Sequence, residues 1–267
     1  MYTVEWDDFI RNKDDGAGRA ASRMAATIGV FDGVHRGHIA LINRARSMGV
    51  PVVVTFKQNP GRILSPLSFR GDVYSLRQKL SVFEECGVTL TVLIDFSGNF
   101  SRITGKVFVD LLKSRRDLAF LAVGADFHCG RHLDTDAAAL KNMAGRAGIR
   151  TEIIPPVMEG RRPVSSSRIR AAVASGDLED AALLLGRPFG IDLSDLPSSV
   201  RNGERIFDAG AAMRITPPSG LYAALVFGTQ SEEGAKTEVS VAGGKIGIPR
   251  GFSGEGAGHA LQRLLFV

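Results

Sequence analysis

Residues 25–38 read AATIGVFDGVHRGH. The first seven, Ala25 to Phe31, are almost all apolar, which is the composition of a strand buried on both faces. A glycine-punctuated turn, FDGVHRGH, follows, and then IALINRARSMG with helical spacing. Glycines in such a turn let the backbone approach a ligand closely. The helix N-terminus beyond it offers free amides and the positive end of a dipole, both of which favour phosphate. His35 and His38 stand three apart and share one face of a turn or first helical turn. There they can donate hydrogen bonds to charge growing on a phosphorus centre and its leaving group. A structural role or a metal pair is the other reading, but no third ligand sits at a telling spacing.

The rhythm continues outward from this stretch. Strands are expected at 51–56, 88–94, 118–123 and 149–154, and helices at 76–86, 106–114 and 136–147. Continuous apolar strands alternating with helices predict an α/β fold with a Rossmann-like open parallel sheet covered on both faces. Two short helices are expected after Ser165, the second being LEDAALLLG, capped by Asp177 and stopped at Gly186. From Arg187 onward Gly, Ser and Pro are dense, helical spacing is lost, and LYAALVF at 221–227 reads as a strand. The expected domains are therefore 1–186 and a small β-rich 187–267. Residues 11–23 and GFSGEGAGH at 251–259 read as loops by composition.

Composition bounds the function. The chain has 267 residues, 44% hydrophobic and 23% charged, which excludes the disordered and fibrous classes. A net charge of +5 suits anionic small molecules, and no run of Lys and Arg marks a nucleic-acid tail. Two cysteines, Cys86 and Cys129, are too few for a disulfide framework and fit a reducing compartment. The first residues lack the pattern of a signal peptide, and no stretch approaches the roughly 18 apolar residues of a membrane helix. A soluble, cytoplasmic protein is expected, a monomer or weak oligomer, with no nucleic-acid or membrane partner.

Further along, Ser165, Ser166 and Ser167 opening a helix supply hydroxyls and amides to an anion, or simply a helix cap. Arg170 adds a planar fork that fits phosphate. Asp126 and Phe127 read equally as site residues or as a loop turn and a core aromatic.

The stretch GVFDGVHRGH resembles the HxGH motif of the nucleotidylyltransferases, in the form G-x-F-D-G-x-H-x-G-H of the prokaryotic FAD synthetases. Five more landmarks follow in order: TFKQNP at 55–60, KLSVFEECGV, VGADFHCGRHLD at 123–134, VSSSRIR at 164–170 and LLGRPF at 184–189. They resemble the family's flap, a helix and turn, its flavin loop, its V-S-S-T-x-I-R segment and the phrase that closes its adenylyltransferase module. The resemblance covers roughly residues 25–190, and six ordered landmarks are far more specific than any one.

The resemblance implies that AMP passes from ATP to FMN to give FAD and pyrophosphate, with Mg²⁺. His35, His38, Ser166 and Arg170 would be the catalytic set. Gly29, Phe31, Asp32 and Gly33 would shape the nucleotide pocket, and Ser167 would join the phosphate side. Asn59 in the flap and Gly124, Asp126 and Phe127 in the flavin loop would face the substrates, Asp126 also serving the metal. Departures occur where Lys57, Gln58 and Asn59 replace the usual Glu, Pro and His, Cys129 a Phe, Leu133 a Gly, and Ser167 a Thr. In bifunctional relatives a riboflavin kinase barrel follows. Here SGLYAALVF resembles its G-V-Y-A strand, but its P-T-A-N motif is absent, which implies a degenerate kinase module. The rival readings are a bifunctional synthetase, a nucleotidylyltransferase for another acceptor, and a flavin- or nucleotide-binding protein without catalysis.

Overall fold

The computed structural model describes residues 1–11, 23–96, 100–115, 117–201, 203–229, 233–249 and 261–267. The expected loops at 11–23 and 251–259 thus lie outside it, apart from Arg11 and Arg23. The chain divides into two compact units, one of residues 1–66 and 80–163, the other of 67–79 and 164–267. Residue 187 marks where helices give way to strands. The unit that holds those strands also takes in the preceding helices and a segment from much earlier in the chain.

The first unit opens with β1 (Tyr2–Glu5) and α1 (Trp6–Ile10), which the sequence reading did not single out. Then come β2 (Met24–Ile28), α2 (Arg36–Arg46), β3 (Val50–Phe56) and a single turn, α3 (Gly61–Leu64). Helix α4 (Leu76–Glu85) leads to β4 (Leu90–Ile94), α5 (Gly105–Ser114) and β5 (Leu118–Gly124). A small hairpin of β6 (His128–Cys129) and β7 (Thr135–Asp136) precedes α6 (Ala137–Arg146) and β8 (Arg150–Ile154). A second hairpin, β9 (Met158–Glu159) with β10 (Arg162–Pro163), ends the unit.

Six strands form one sheet in the order β1-β4-β3-β2-β5-β8, every pair parallel. The expected Rossmann-like parallel sheet is therefore present. Its central strands are buried along their length because both faces are covered. Met24, Ala26 and Ile28 of β2 face one way, into a core shared with Trp6, Phe9, Phe108, Leu112 and Leu140 of the helices. Helix α2 packs on β2, β3 and β5.

The second unit contains α7 (Ser166–Ser175) and α8 (Leu178–Leu185). Asp177 caps α8 as expected, accepting from the Asp180 amide at 3.0 Å. Gly186 closes it with φ 78°, a left-handed conformation that glycine adopts without strain. The strands are β11 (Gly190–Asp192), β12 (Ser198–Arg201), β13 (Glu204–Asp208), β14 (Gly220–Gly228), β15 (Ala235–Ala242), β16 (Lys245–Pro249) and β17 (Leu261–Phe266). They form an open antiparallel sheet in the order β11-β17-β14-β15-β16-β13-β12. Among the described residues no helix is long and apolar enough to cross a membrane.

A buried cation pins the start of the first unit. Arg115 is 4% exposed, lies 4.3 Å over the Phe9 ring, and donates to the Phe9 carbonyl at 2.8 Å. Asp117 accepts from its Nε at 3.0 Å and from its Nη2 at 2.7 Å. Those hydrogen bonds hold the Asp117 carboxyl below its usual range, against the opposing effect of burial. A carboxyl with a lowered folded pKa stabilises the fold above its unfolded pKa, and that contribution is lost as pH falls through the lower folded value. Asp117→Asn is expected to cost about 1–2 kcal/mol at pH 7. The gap in Tm from the parent protein should narrow below about pH 4. Thermal melts of both proteins between pH 7 and pH 3 check this, and parallel curves would refute it.

Candidate active site

Strand β2 ends at Ile28, three residues earlier than its composition predicts, because the backbone turns left-handed. Phe31 has φ 53°, Gly33 79° and Val34 41°, values no strand allows. The glycine meets this without strain, whereas Phe31 and Val34 do not, and both are fully buried. The turn is held by the Val34 amide donating to the Phe31 carbonyl at 3.1 Å and by Thr55 Oγ1 donating to the Val30 carbonyl at 3.1 Å. A Cβ at Gly29 would sit 3.3 Å from the Phe31 ring.

Helix α2 then begins at Arg36, earlier than its apolar residues indicate, with His35 as its N-cap. His35 Nδ1 accepts from the His38 amide at 3.4 Å. Its Nδ1 lone pair is thus engaged, which leaves Nε2 to carry the proton in the neutral ring. The two imidazoles stack, with centroids 3.6 Å apart and planes 15° from parallel. Phe31 supports His38 from another side at 4.9 Å. His35 is buried and His38 half-buried, so His38 is the member of the pair turned toward an open cavity.

That cavity, about 690 Å³, lies over the carboxyl ends of β2, β3, β4 and β5. The strand order reverses between β2 and β5, the switch point where open α/β sheets bind ligands. Gly29, Phe31, His38, Gly124, Asp126 and Phe127 all line it. Asp32 and Gly33 are buried in the turn behind. Asn59 is occupied locally, its Oδ1 accepting from the Gly61 amide at 3.0 Å, so that Pro60 and Gly61 form the wall instead. Lys57, in the place of the family's Glu, pairs with Glu5 at 2.8 Å. The sequence reading missed the apolar wall, which includes Phe56, Phe96, Phe100, Ile63 and Leu64. Its signal was the spacing of phenylalanines through residues 96–108, where Phe100 and Phe108 also pack on Trp6.

Ser166, Ser167 and Arg170 belong to the second unit. Ser165 is the cap of α7, accepting from the Arg168 amide at 3.3 Å, which leaves Ser166 and Ser167 in the first helical turn. Arg170 Nε donates to the Gly71 carbonyl at 2.8 Å, and its guanidinium lies 5.8 Å over the Phe69 ring.

The loop after β5 is built around Asp134. Its Oδ1 accepts from the Gly105 amide at 3.0 Å and from Thr135 Oγ1 at 2.9 Å. A Cβ on Gly130 would lie 2.1 Å from that oxygen, and one on Gly105 would lie 2.0 Å from Thr135 Oγ1, so neither glycine is replaceable without displacement. Gly124 is constrained similarly, since a Cβ there would come 2.8 Å from Asp126 Oδ1. Among the described residues no three His, Cys, Asp or Glu side chains cluster as a metal cage. Burial, and secondarily the charge of Asp134, pushes the Cys129 thiol up to about 12, so at neutral pH it is a protonated apolar wall residue.

Residues 18–168 match the FAD synthetase family. The chain belongs to that family. It is 32% identical over 216 residues to the bifunctional riboflavin kinase/FMN adenylyltransferase of Escherichia coli, covering 76% of this chain and 67% of the relative. It is 28% identical over 207 residues to the FAD synthetase of Listeria monocytogenes, covering 75% and 81% respectively. A solved structure from Streptococcus pneumoniae, described as a macrolide-efflux protein, superposes with a TM-score of 0.79 over 100% of this chain and 89% of its own, at 21% identity. That likeness shows a shared fold. Membership in the FAD synthetase family also fits the ordered landmarks, and it makes the departures informative. Leu133 stands where a Gly is usual and has φ 57°, after His132 at 58°. The left-handed backbone is thus present without the residue that adopts it at least cost.

Leu133 is 60% exposed, so little packing is lost on truncating it. Leu133→Gly is expected to stabilise the protein by about 0.5–1 kcal/mol, since relief of strain exceeds the entropy cost of glycine. Leu133→Ala, which keeps a Cβ, should give no such gain. Differential scanning fluorimetry of the two variants checks this, and equal melting temperatures would contradict the strain.

Proposed function

We propose that the chain is an FMN adenylyltransferase: it joins the AMP of ATP to FMN, forming FAD and pyrophosphate. The observation that carries this reading is the cavity, where the left-handed turn, the start of α2 and His38 meet an aromatic and aliphatic wall. The first set suits a polyphosphate and the second a flat, apolar ring. Family membership and the names of the E. coli and Listeria relatives support the same reaction.

In this reading a phosphate oxygen of FMN attacks the α-phosphorus of ATP. A new P–O bond forms as the bond from that phosphorus to the bridging oxygen of pyrophosphate breaks. Positioning and charge stabilisation carry such a reaction, and no covalent intermediate on the protein is required. His38 donates to the phosphate oxygens on which charge gathers. His35 holds His38 by stacking and by the cap on its amide, and adds a second donor through Nε2. Ser166, Ser167 and Arg170 are read as completing the phosphate side. Asp126, kept close to the strand end by Gly124, fits a Mg²⁺ bound by one carboxylate together with substrate phosphates. When bound, that ion would neutralise the triphosphate.

We further propose that riboflavin kinase activity is absent. No P-T-A-N sequence occurs in the chain. In the stretch between β13 and β14, Met213 and Ile215 instead spend their backbone groups on Asp72.

Two outcomes are expected. His38→Ala should lower kcat by about 10²-fold or more while the protein remains folded; unchanged turnover would refute its role. With Mg²⁺ and ATP, FMN should yield FAD, whereas riboflavin should yield neither FMN nor FAD by chromatography. Product from riboflavin would restore a kinase, and no product from FMN would leave a binding protein or another acceptor.

A further inference from the structure

Trp6 is the one tryptophan of the chain, and it stands ahead of residues 18–168, the stretch that matches the FAD synthetase family. Strand β1 runs parallel to β4, in register from Tyr2 with Leu90 to Glu5 with Leu93, and α1 begins at Trp6. The pairing of this edge strand brings the indole into the core of the first unit, where it is 6% exposed.

Its neighbours there are rings. Trp6 stacks on Phe108, with centroids 5.5 Å apart and planes 18° from parallel, and meets Phe100 edge-on at 5.6 Å. Phe100 in turn lies 6.2 Å from Phe56 and 6.4 Å from Phe96. Phe56, Phe96, Phe100 and Phe108 all line the cavity, whereas Trp6 does not. The indole is therefore the back of a wall whose front faces the cavity. Phe100 lies on a single 3₁₀ turn, Phe100–Arg102, whose backbone is too short to fix a ring by itself. Stacked and edge-to-face contacts are directional, so they set the tilt of a ring as well as its place. Glu5 adds a second tie through Lys57, the residue after Phe56. That pair is exposed on both sides and contributes little, so the indole is the stronger hold.

The other end of the cavity has its own support. Phe31 rests on Phe83 at 5.5 Å and on His38 at 4.9 Å, and neither Phe31 nor Phe83 belongs to the core cluster that holds Trp6. A change at Trp6 thus reaches the apolar wall and leaves the histidine platform in place.

We propose that Trp6 is a positioning residue for FMN: it sets the aromatic wall against which the flavin ring lies, so that flavin affinity depends on a residue ahead of the family-matching stretch. This rests on the reading of the cavity as the FMN site.

The test uses the full chain. In the parent protein, FMN is expected to quench the fluorescence of Trp6. Trp6→Leu removes the indole, and Trp6→Phe keeps a ring in its place. Phe120→Leu is the control. Phe120 is a buried aromatic of β5 that lies against Arg44 and Arg150, on the opposite face of the strand from Leu121 of the Trp6 cluster. The Kd for FMN, read from flavin fluorescence, should rise about tenfold in Trp6→Leu. The KM for FMN should follow it, with kcat and the KM for ATP unmoved. Trp6→Phe should recover most of the affinity, and Phe120→Leu should keep it whatever its loss in Tm. Unchanged FMN affinity in a folded Trp6→Leu would overturn the proposal. So would a parallel rise in the KM for ATP, an equal loss in Phe120→Leu, or no recovery in Trp6→Phe. Where Trp6→Leu does not fold, Trp6→Met, which fills more of the space, decides by the same criteria. If the parent protein binds FMN without quenching of Trp6, the flavin lies away from this wall and the proposal falls while the reaction stands. If the parent binds no FMN, the reading of the cavity itself fails, and the proposal with it.

Discussion

The site depends on a backbone reversal at the end of one strand. Within eight residues of Ile28 the chain leaves the centre of the sheet, turns through three left-handed conformations, and starts a helix. Two of those conformations belong to Phe31 and Val34, which resist them. They persist because both side chains are buried and because the Phe31 ring is fixed against Phe83 and His38. The strain therefore does double duty. It aims the start of α2 over the carboxyl edge of the sheet, and it makes the supporting ring part of the histidine platform.

The loop after β5 is the second fixed edge, and it works on a different principle. There the backbone is drawn in by one carboxylate, Asp134, which bonds the start of α5 and the hairpin strand β7 together. Glycines at 105 and 130 are needed because the approach leaves no space for a Cβ. Cys129 and Leu133 show what such a scaffold tolerates. A thiol replaces a ring on a wall whose burial keeps it neutral, and a leucine accepts a glycine's dihedral angles. Neither change touches the bonds of Asp134.

In the second unit polar contacts concentrate where residues 67–79 enter. Asp192, Arg214 and Arg170 each contact that segment, and two of the three are almost wholly buried. Burying charge in this way is costly unless geometry is satisfied on every side, so such pairs fix arrangement more than they add stability.

Much of this was legible in the sequence. The apolar strand before the glycine turn, the period of the helices and the caps at Asp177 and Gly186 act over a few residues, and local patterns report them faithfully. So did the ordered motifs that placed the chain among the FAD synthetases. The first strand and helix escaped notice because β1 is a short edge strand and α1 a single amphipathic turn, whose only signal is Trp6 with Phe9. The early end of β2 was hidden because Val30 and Phe31 are apolar, and composition does not report the sign of φ. Only the tertiary structure showed that His35 caps the helix carrying His38, that Asn59 spends its oxygen on Gly61, and that residues 67–79 leave one unit for the other. Each of these depends on atoms brought together by the fold, and the distance between them is set by packing rather than by position in the chain.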